Sequence, residues 1–315
     1  YAAGHGGRCE CAGDAGAAGA DQYCQPENVE AGGLSTMTMK QKKKLLYILR
    51  MAMVAVCLIV ALFPIYWMLN TSFKTQFEMY QKVPTFLPKK PTLEGYKYLF
   101  TKTPYLNALK NSFIIAFVCA LISIALGYPV SYVVARLRFR GRQGVSKLIL
   151  FSYLIPTSVL YIPLFLFVSK CGLTDNILGL MLIYPTFTLP YVSWMLIPHV
   201  RSVPKEIEEA ARVDGCTRIQ CMYRIVFPLA TPGIISTFIF AFSMCWGEYM
   251  YALVNISSKE MKTFPLVISN LIYGDIYPWN QIMAGAIIAC IPILLVYIFF
   301  SNLMVGGATE GGVKA

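Results

Sequence analysis

Residues 199–228 read HVRSVPKEIEEAARVDGCTRIQCMYRIVFP and lie between two strongly apolar stretches. The segment carries five basic and four acidic side chains, whereas the stretches on either side are almost free of charge. A polar segment between two apolar stretches of span length is typical of a loop that joins two membrane helices. This loop also has internal order, because it contains two helical patterns separated by a glycine.

The first pattern predicts a helix over residues 205–213. Ser202 and Pro204 provide a start signal, and Asp214 with Gly215 provides a stop. Acidic side chains lie near the start, where the helix macrodipole favours negative charge: Glu206, Glu208 and Glu209.

The predicted helix is amphipathic. Its apolar face is shallow, because the side chains that recur at helical spacing are mostly small: Ile207, Ala210 and Ala211. On the polar side, Glu208 can reach Arg212 four residues later. So short a helix is marginal by itself, and its place between two membrane spans suits it to press against a soluble partner.

The second pattern predicts another helix after the glycine. Thr217 and Gln220 have the spacing of a capping box, and Pro228 marks the end of the loop. An apolar stripe follows the cap: Ile219, Met222, Tyr223 and Val226. The loop is therefore predicted to be a helix, a glycine turn and a second helix.

Composition indicates a polytopic membrane protein. Of the 315 residues 57% are hydrophobic and 14% are charged, with a mean hydropathy of +0.56, whereas charged residues make up about a quarter of a typical soluble domain. The net charge of +11 does not indicate a nucleic-acid partner, because the basic residues cluster beside apolar spans. The ten cysteines are scattered without the spacing of a zinc site.

The apolar stretches predict an all-α membrane protein with a six-helix bundle and a helix-turn-helix loop. A span needs about 20 helical residues, and six stretches satisfy this length: 45–69, 109–135, 148–169, 177–198, 229–254 and 282–304. Residues 40–304 therefore form the predicted transmembrane domain, in contact with membrane lipid. Residues 1–39 are predicted to be a disordered tail or extension, and residues 305–315 a Gly-rich tail.

Basic clusters predict the orientation of the spans. They lie before the first span, at 136–147 and in the loop 199–228, which all fall on one side of the bundle. The positive-inside rule makes this side cytoplasmic, and six spans then place both termini there. The opposite loop, 70–107, has dispersed lysines and four prolines, which predict an extended outer segment.

Part of the polar loop resembles a family motif. Glu209-Ala210-Ala211, then Asp214-Gly215, then Pro228 after twelve further residues resemble the "EAA" loop of membrane subunits in binding-protein-dependent ABC importers. Two positions depart from that pattern. The residue after the glycine is Cys216, where the family usually has alanine, and the residue seven positions after the glycine is Met222, where the family usually has an aromatic residue; Tyr223 follows it. Both departures retain an apolar contact.

The resemblance covers residues 40–315. Four further segments are similar to those of sugar-importer permeases: FLPKKPTLEGY at 86–96, ARLRFRGR at 135–142, WGEYMYAL at 246–253 and GGATEGGVKA at 306–315. The resemblance thus points to the six-span member of a maltose-type permease pair in the carbohydrate-uptake branch, located in the bacterial cytoplasmic membrane.

The resemblance also implies partners and site residues. The expected partners are an ATPase dimer, a second homologous permease subunit and an extracellular solute-binding protein, with a sugar as substrate. The expected ATPase-coupling residues are Glu209, Ala210, Ala211, Asp214, Gly215, Met222 and Pro228. The chain has no phosphate-binding G-x-x-x-x-G-K-[ST] loop, so we expect no enzyme activity and no cofactor in this chain, with ATP and Mg bound by the partner subunits.

Glu248 is the one acidic residue in the six apolar stretches. A carboxylate at membrane depth needs a partner, water or a proton, so we expect it to face the bundle interior. With Trp246, Tyr249 and Tyr251 it forms a candidate substrate pathway in which rings stack on a sugar. An equal alternative is a structural hydrogen bond or a place among hydrated headgroups.

Other functions have weaker support from the sequence. A permease for amino acids, polyamines or phosphate belongs to the same superfamily, and Gly247 replaces an asparagine that sugar permeases have in the fifth span. A secondary transporter would need paired intramembrane ionisable groups, discontinuous helices or an internal inverted repeat. A membrane enzyme would need a nucleophile and base or a metal site. We therefore predict an importer permease for a sugar or oligosaccharide.

Overall fold

The computed structural model describes the backbone of residues 39–309 and the side chains of residues 43–300. Within this part of the chain the fold is helical, with one isolated β-bridge between Tyr273 and Ile276. The predicted all-α fold is confirmed. The predicted N-terminal tail lies outside the described residues, apart from its last position. The predicted C-terminal tail is helical as far as Thr309, and residues 310–315 lie outside the described part.

The helices follow one another in chain order: α1 (Met39–Ser72), α2 (Gln76–Met79), α3 (Glu94–Lys102), α4 (Tyr105–Arg136), α5 (Arg142–Leu154), α6 (Thr157–Lys170), α7 (Ile177–Ile183), α8 (Pro185–Ser202), α9 (Lys205–Val213), α10 (Arg218–Gln220), a π-helical stretch (Cys221–Val226), α11 (Phe227–Leu229), α12 (Thr231–Trp246), α13 (Met250–Asn255), α14 (Phe264–Ser269) and α15 (Trp279–Thr309). The chain divides into two units, residues 1–59 and 60–315. The first unit, as far as it is described, is the beginning of α1. The second unit holds the other helices.

Four helical segments are long and apolar enough to cross a membrane, and they overlap predicted spans. Their bounds are Lys43–Ser72, Tyr105–Arg136, Ile177–Ser202 and Trp279–Phe300. The remaining two predicted spans overlap bent pairs of helices, Arg142–Leu154 with Thr157–Lys170 and Arg218–Leu229 with Thr231–Trp246, so the described residues reach six spans if each pair is counted as one.

The predicted span 148–169 is not a straight helix. α5 and α6 meet at an angle of 89°, and the break falls at Ile155 and Pro156. Ile155 is extended, with ψ of 125°, because a residue that precedes proline is disfavoured in the helical region. The sequence hydropathy is continuous across this break, which is why the sequence did not reveal it.

The predicted span 229–254 also differs from a single helix. It begins after a bend of 78° between Arg218–Leu229 and Thr231–Trp246, and its helix ends at Trp246. A separate short helix, α13, then continues the segment after Gly247 and Glu248. The fifth apolar stretch therefore contains two helices joined by a short break.

The centre of residues 60–300 is built by α4, α8 and α12, which pack closely. A Cβ at Gly127 of α4 would lie 2.7 Å from Val192 Cγ1 of α8. Buried hydroxyls bond across the same contact, because Ser123 Oγ lies 2.6 Å from Thr188 Oγ1. Ser131 Oγ also lies 2.8 Å from the Ser193 carbonyl oxygen, to which it donates. These bonds satisfy polar groups that no water reaches.

The segment 70–107 was predicted to be extended, and this is wrong in part because it contains α2 and α3. Its prolines lie outside both helices, so none of them interrupts a helical hydrogen bond. The buried Glu78 carboxylate accepts from Thr85 Oγ1 at 2.6 Å and from the Lys89 amide at 3.0 Å. The bond from Thr85 is the main cause that lowers the pKa of Glu78.

Lys74 supports the same segment from the inside. Its Nζ donates to the Thr85 carbonyl and lies 5.0 Å from the centre of the Trp67 ring. Burial lowers the pKa of Lys74, and the neighbouring Glu78 charge opposes this shift. The loop thus folds around a buried lysine and a buried glutamate.

Candidate functional site

The first helix of the polar loop, α9, covers the predicted residues 205–213. Its end is a Schellman motif, in which the Gly215 amide donates to the Arg212 carbonyl at 3.1 Å and the Cys216 amide donates to the Ala211 carbonyl at 3.0 Å. Gly215 has φ of +93°, a left-handed conformation that glycine adopts without steric cost.

The start of α9 differs from the prediction. Pro204 is the cap residue, whereas Ser202 is the last residue of α8. The Ser202 hydroxyl donates back to the His199 carbonyl at 2.8 Å. Between the two helices, Val203 and Pro204 are extended, with ψ of 126° and 135°. A two-residue extended joint therefore connects α9 to α8.

The second half of the loop begins with the predicted capping box. The Thr217 amide donates to Gln220 Oε1 at 2.8 Å, and the Gln220 amide donates to Thr217 Oγ1 at 3.3 Å. The helix then widens into the π-helical stretch Cys221–Val226 before Pro228. Sequence patterns do not distinguish such a stretch from an α-helix, so it was not predicted.

The predicted partner of Glu208, Arg212, is wrong. Glu208 Oε2 lies 3.2 Å from Arg136 Nε at the end of α4, and the Tyr132 hydroxyl donates to Glu208 Oε1. The Arg136 and Glu208 side chains are only 4% and 13% exposed. The bundle places a buried arginine beside this helix, and a buried charge requires a partner of opposite sign.

Three apolar side chains of the loop are exposed, whereas others, such as Met222 and Val226, are buried. Ile207, Val213 and Ile219 are 42%, 88% and 69% exposed, and α9 has no buried residue. Beside them lies a polar groove of about 460 Å³, lined by Arg136, Leu137, Arg138, Lys205, Glu208, Glu209, Arg212 and Arg218. An exposed apolar row next to a charged groove is a surface that can receive another protein.

The family described as "Binding-protein-dependent transport system inner membrane component" matches residues 127–306, which include this loop. The chain belongs to this family. It is therefore a membrane-spanning permease of a binding-protein-dependent ABC transporter.

Individual proteins are similar to this permease over most of their length. The "Inner membrane ABC transporter permease protein YcjP" of Escherichia coli strain K12 is 34% identical, with 82% of this chain and 94% of the relative covered. The "Sulfoquinovosyl glycerol transport system permease protein SmoH" of Agrobacterium fabrum is 33% identical, with 84% and 93% covered. A crystal structure of a bacterial ABC transporter involved in the import of the acidic polysaccharide alginate has the same fold. Its TM-score is 0.66 at 21% identity, with 85% of this chain and 99% of that chain covered.

Glu248 of the permease lies in the break between α12 and α13. Its Oε1 accepts from the Tyr251 amide at 2.8 Å, and its Oε2 accepts from the Ala252 amide at 3.2 Å and from the Tyr184 hydroxyl at 2.9 Å. The carboxylate thus satisfies amides in the first turn of α13, which have no partner within that helix. This geometry fits the structural alternative, while a role in the substrate pathway stays a prediction.

The other three predicted pathway residues divide between two places. Tyr251 is buried near Glu248, where its ring lies parallel to Phe187 at a centroid distance of 5.8 Å. Tyr249 is half-buried and packs against the core from the same break. Trp246 points elsewhere, because its Nε1 donates to the Ala289 carbonyl of α15 at 3.2 Å. The structure therefore does not bring all four residues together.

We expect Glu248→Gln to lower solute uptake by the permease while the protein still reaches the membrane. The amide keeps one oxygen for the α13 amides but removes the charge and one acceptor. Initial uptake rates in cells or vesicles measure the effect, with membrane abundance determined in the same samples. Unchanged uptake kinetics at equal abundance would reject a role of the carboxylate in the pathway.

Sequence reasoning missed Tyr128, Tyr132 and Arg136. They recur at i, i+4 and i+8 on one face of α4, and this face contacts the loop 199–228. The spacing was visible in the sequence, but α4 and the loop are separated by about 70 residues, and only the fold shows that they meet.

Proposed function

We propose that this permease is the membrane subunit of an ATP-driven importer that moves a sugar or an oligosaccharide across the cytoplasmic membrane. The main support is the organised loop 199–228, whose first helix offers an apolar row that none of the side chains described in residues 43–300 covers. The cargo class rests on relatives: one is named for sulfoquinovosyl glycerol, and a protein of the same fold imports alginate.

In this proposal, α9 is the lever on which an ATPase subunit acts. Ile207 and Val213 are exposed for contact, and Ala210 keeps the surface between them shallow. The remaining coupling residues have distinct proposed tasks. Glu209 faces the polar groove, and Ala211, Asp214 and Gly215 form the end of the lever. Met222 and Pro228 belong to the arm that leads back to α12.

The energy source and the other subunits lie outside this chain. We propose two ATPase subunits that bind ATP and Mg, a second homologous permease and an extracellular solute-binding protein. The loop 199–228 then faces the cytoplasm, together with both termini, in agreement with the basic clusters. Closure of the ATPase dimer on nucleotide pushes α9 and switches the bundle between inward-facing and outward-facing states.

The experiment is uptake by vesicles that contain this chain, its sister permease and its ATPase, supplied with the solute-binding protein. We expect radiolabelled sugar or oligosaccharide to accumulate with ATP and not with ADP. Vesicles that lack the ATPase are the control and are expected to show no accumulation. Accumulation by this chain alone would support a secondary transporter instead. ATP-driven uptake of an amino acid or a polyamine, without any sugar, would reject the proposed cargo.

A further inference from the structure

Three side chains on one face of α4 bind the loop 199–228. The Tyr128 hydroxyl donates to the Met222 carbonyl at 2.6 Å, so the first of them contacts the second half of the loop. The Tyr132 hydroxyl donates to Glu208 in the first half. Arg136 pairs with Glu208 at 3.2 Å, and its Nη2 also donates to the Val203 carbonyl at 2.6 Å. One guanidinium therefore joins α4, the end of α8 and α9.

The covalent chain leaves α9 free to tilt. It is connected to α8 by the extended joint at Val203 and Pro204, and to the second half of the loop by the turn at Gly215. Among the side chains of α9, all of which the structure describes, Glu208 is the one with a hydrogen bond or an ion pair to the bundle. α9 also packs against the π-helical stretch, where the Cys221 thiol donates to the Glu208 carbonyl at 3.9 Å, so the Glu208 side chain is the polar tie between α9 and α4.

We propose that Glu208, Tyr132 and Arg136 form a latch that fixes α9 to α4, so that movement of α9 is transmitted to the bundle. The inference rests on the proposed function, in which α9 receives the force from the ATPase. The three residues are positioning residues and do not touch the solute. Their task is to keep the lever at a fixed angle to α4 and α8.

The burial of the latch explains why it would hold under load. Both side chains of the ion pair are largely shielded from water, which strengthens their attraction and makes separation costly. The carboxylate also accepts a hydrogen bond from the Tyr132 hydroxyl at Oε1, while its Oε2 is in charge contact with Arg136 Nε at 3.2 Å without the alignment of a hydrogen bond. Removal of the carboxylate would leave a buried guanidinium whose remaining bond is to Val203.

The test uses Glu208→Gln in the assembled transporter and measures ATP hydrolysed per sugar taken up. We expect ATP hydrolysis close to that of the parent protein and uptake reduced about tenfold, because a coupling free energy between two sites is typically of this size. Arg136→Gln is expected to reduce uptake at least as much, because it also removes the bond to the Val203 carbonyl. The double variant should be no worse than Arg136→Gln alone, since that variant already lacks the pair with Glu208.

The matched control is Arg140→Gln, which removes one exposed positive charge close to Arg136 in the chain. We expect it to keep the parent ratio of ATP to sugar. An unchanged ratio in both Glu208→Gln and Arg136→Gln would overturn the latch. If Glu208→Gln fails to assemble, Tyr132→Phe decides, because it keeps the ring and both charges. We expect its ratio to rise about threefold, and a parent-like ratio would overturn the proposal.

A second readout does not depend on transport. Hydrogen exchange of the α9 amides in the purified chain is expected to be faster in Glu208→Gln than in the parent protein, and unchanged in Arg140→Gln. A parent complex without ATP-dependent uptake would reject the proposed function, but the exchange measurement would still test the attachment of α9. Equal exchange in Glu208→Gln and the parent protein would show that the latch does not hold this helix.

Discussion

Gly215→Val is expected to abolish coupled uptake while the chain still inserts into the membrane. Gly215 has φ of +93°, where a β-branched residue is strained by about 1–2 kcal/mol. Relief of this strain would break the two hydrogen bonds that the Gly215 and Cys216 amides donate at the end of α9, and it would change the direction in which the chain leaves the helix. The variant should therefore retain abundance but lose ATP-driven uptake in the vesicle assay.

Gly141→Val is the matched control for this prediction. Gly141 also has a positive φ, +88°, and a Cβ at either glycine meets no atom within 4 Å. The two valines thus introduce similar backbone strain, but only Gly215 lies in the loop 199–228. We expect Gly141→Val to retain uptake. Full uptake and co-purification of the ATPase with Gly215→Val would contradict the lever, and equal losses in both variants would indicate a general effect of strain.

Gly233→Ala is expected to lower the thermal stability of the folded protein, since this glycine lies where α12 meets α8. A Cβ at Gly233 would be 2.2 Å from His199 Cγ and 2.6 Å from His199 Cβ. A simple rotation of the imidazole ring cannot remove a clash with its own Cβ, so one helix has to shift. Overpacking of this kind costs about 1–3 kcal/mol. Thermal unfolding of the detergent-solubilised protein measures the loss.

Two further variants separate this clash from a general effect of alanine. A Cβ at Gly247 would have its nearest neighbour at 3.8 Å, an ordinary contact, so Gly247→Ala is expected to unfold like the parent protein. His199→Ala removes the ring but keeps its Cβ, and we expect it to restore part of the stability of Gly233→Ala. Parent-like stability of Gly233→Ala alone would mean that α8 and α12 lie farther apart than the structure places them.

Features that depend on neighbouring residues could be predicted from the sequence. The end of α9 at Asp214 and Gly215 and the cap formed by Thr217 and Gln220 are local bonds between residues a few positions apart. The spans were likewise visible, because their length is fixed by the thickness of the bilayer. These features need no knowledge of the rest of the fold.

Features that depend on distant residues could not be predicted. Local spacing favoured Arg212 as the partner of Glu208, but in the fold Glu208 pairs with Arg136. The Arg136 side chain is buried, and a buried charge without a partner of opposite sign is strongly destabilising. Trp246 and Glu248 are two positions apart, yet the helix ends between them and directs the side chains to different helices. Proximity in sequence gave no information about this divergence.

The loop between α1 and α3 has a consequence for any protein that binds to it. Its buried Lys74 and Glu78 each hold backbone groups of the segment 85–89, so the loop has a small polar core of its own. A binding partner would meet a surface that is already ordered, and association would lose little conformational entropy on this side. Recognition by this loop would then resemble rigid docking rather than folding upon contact.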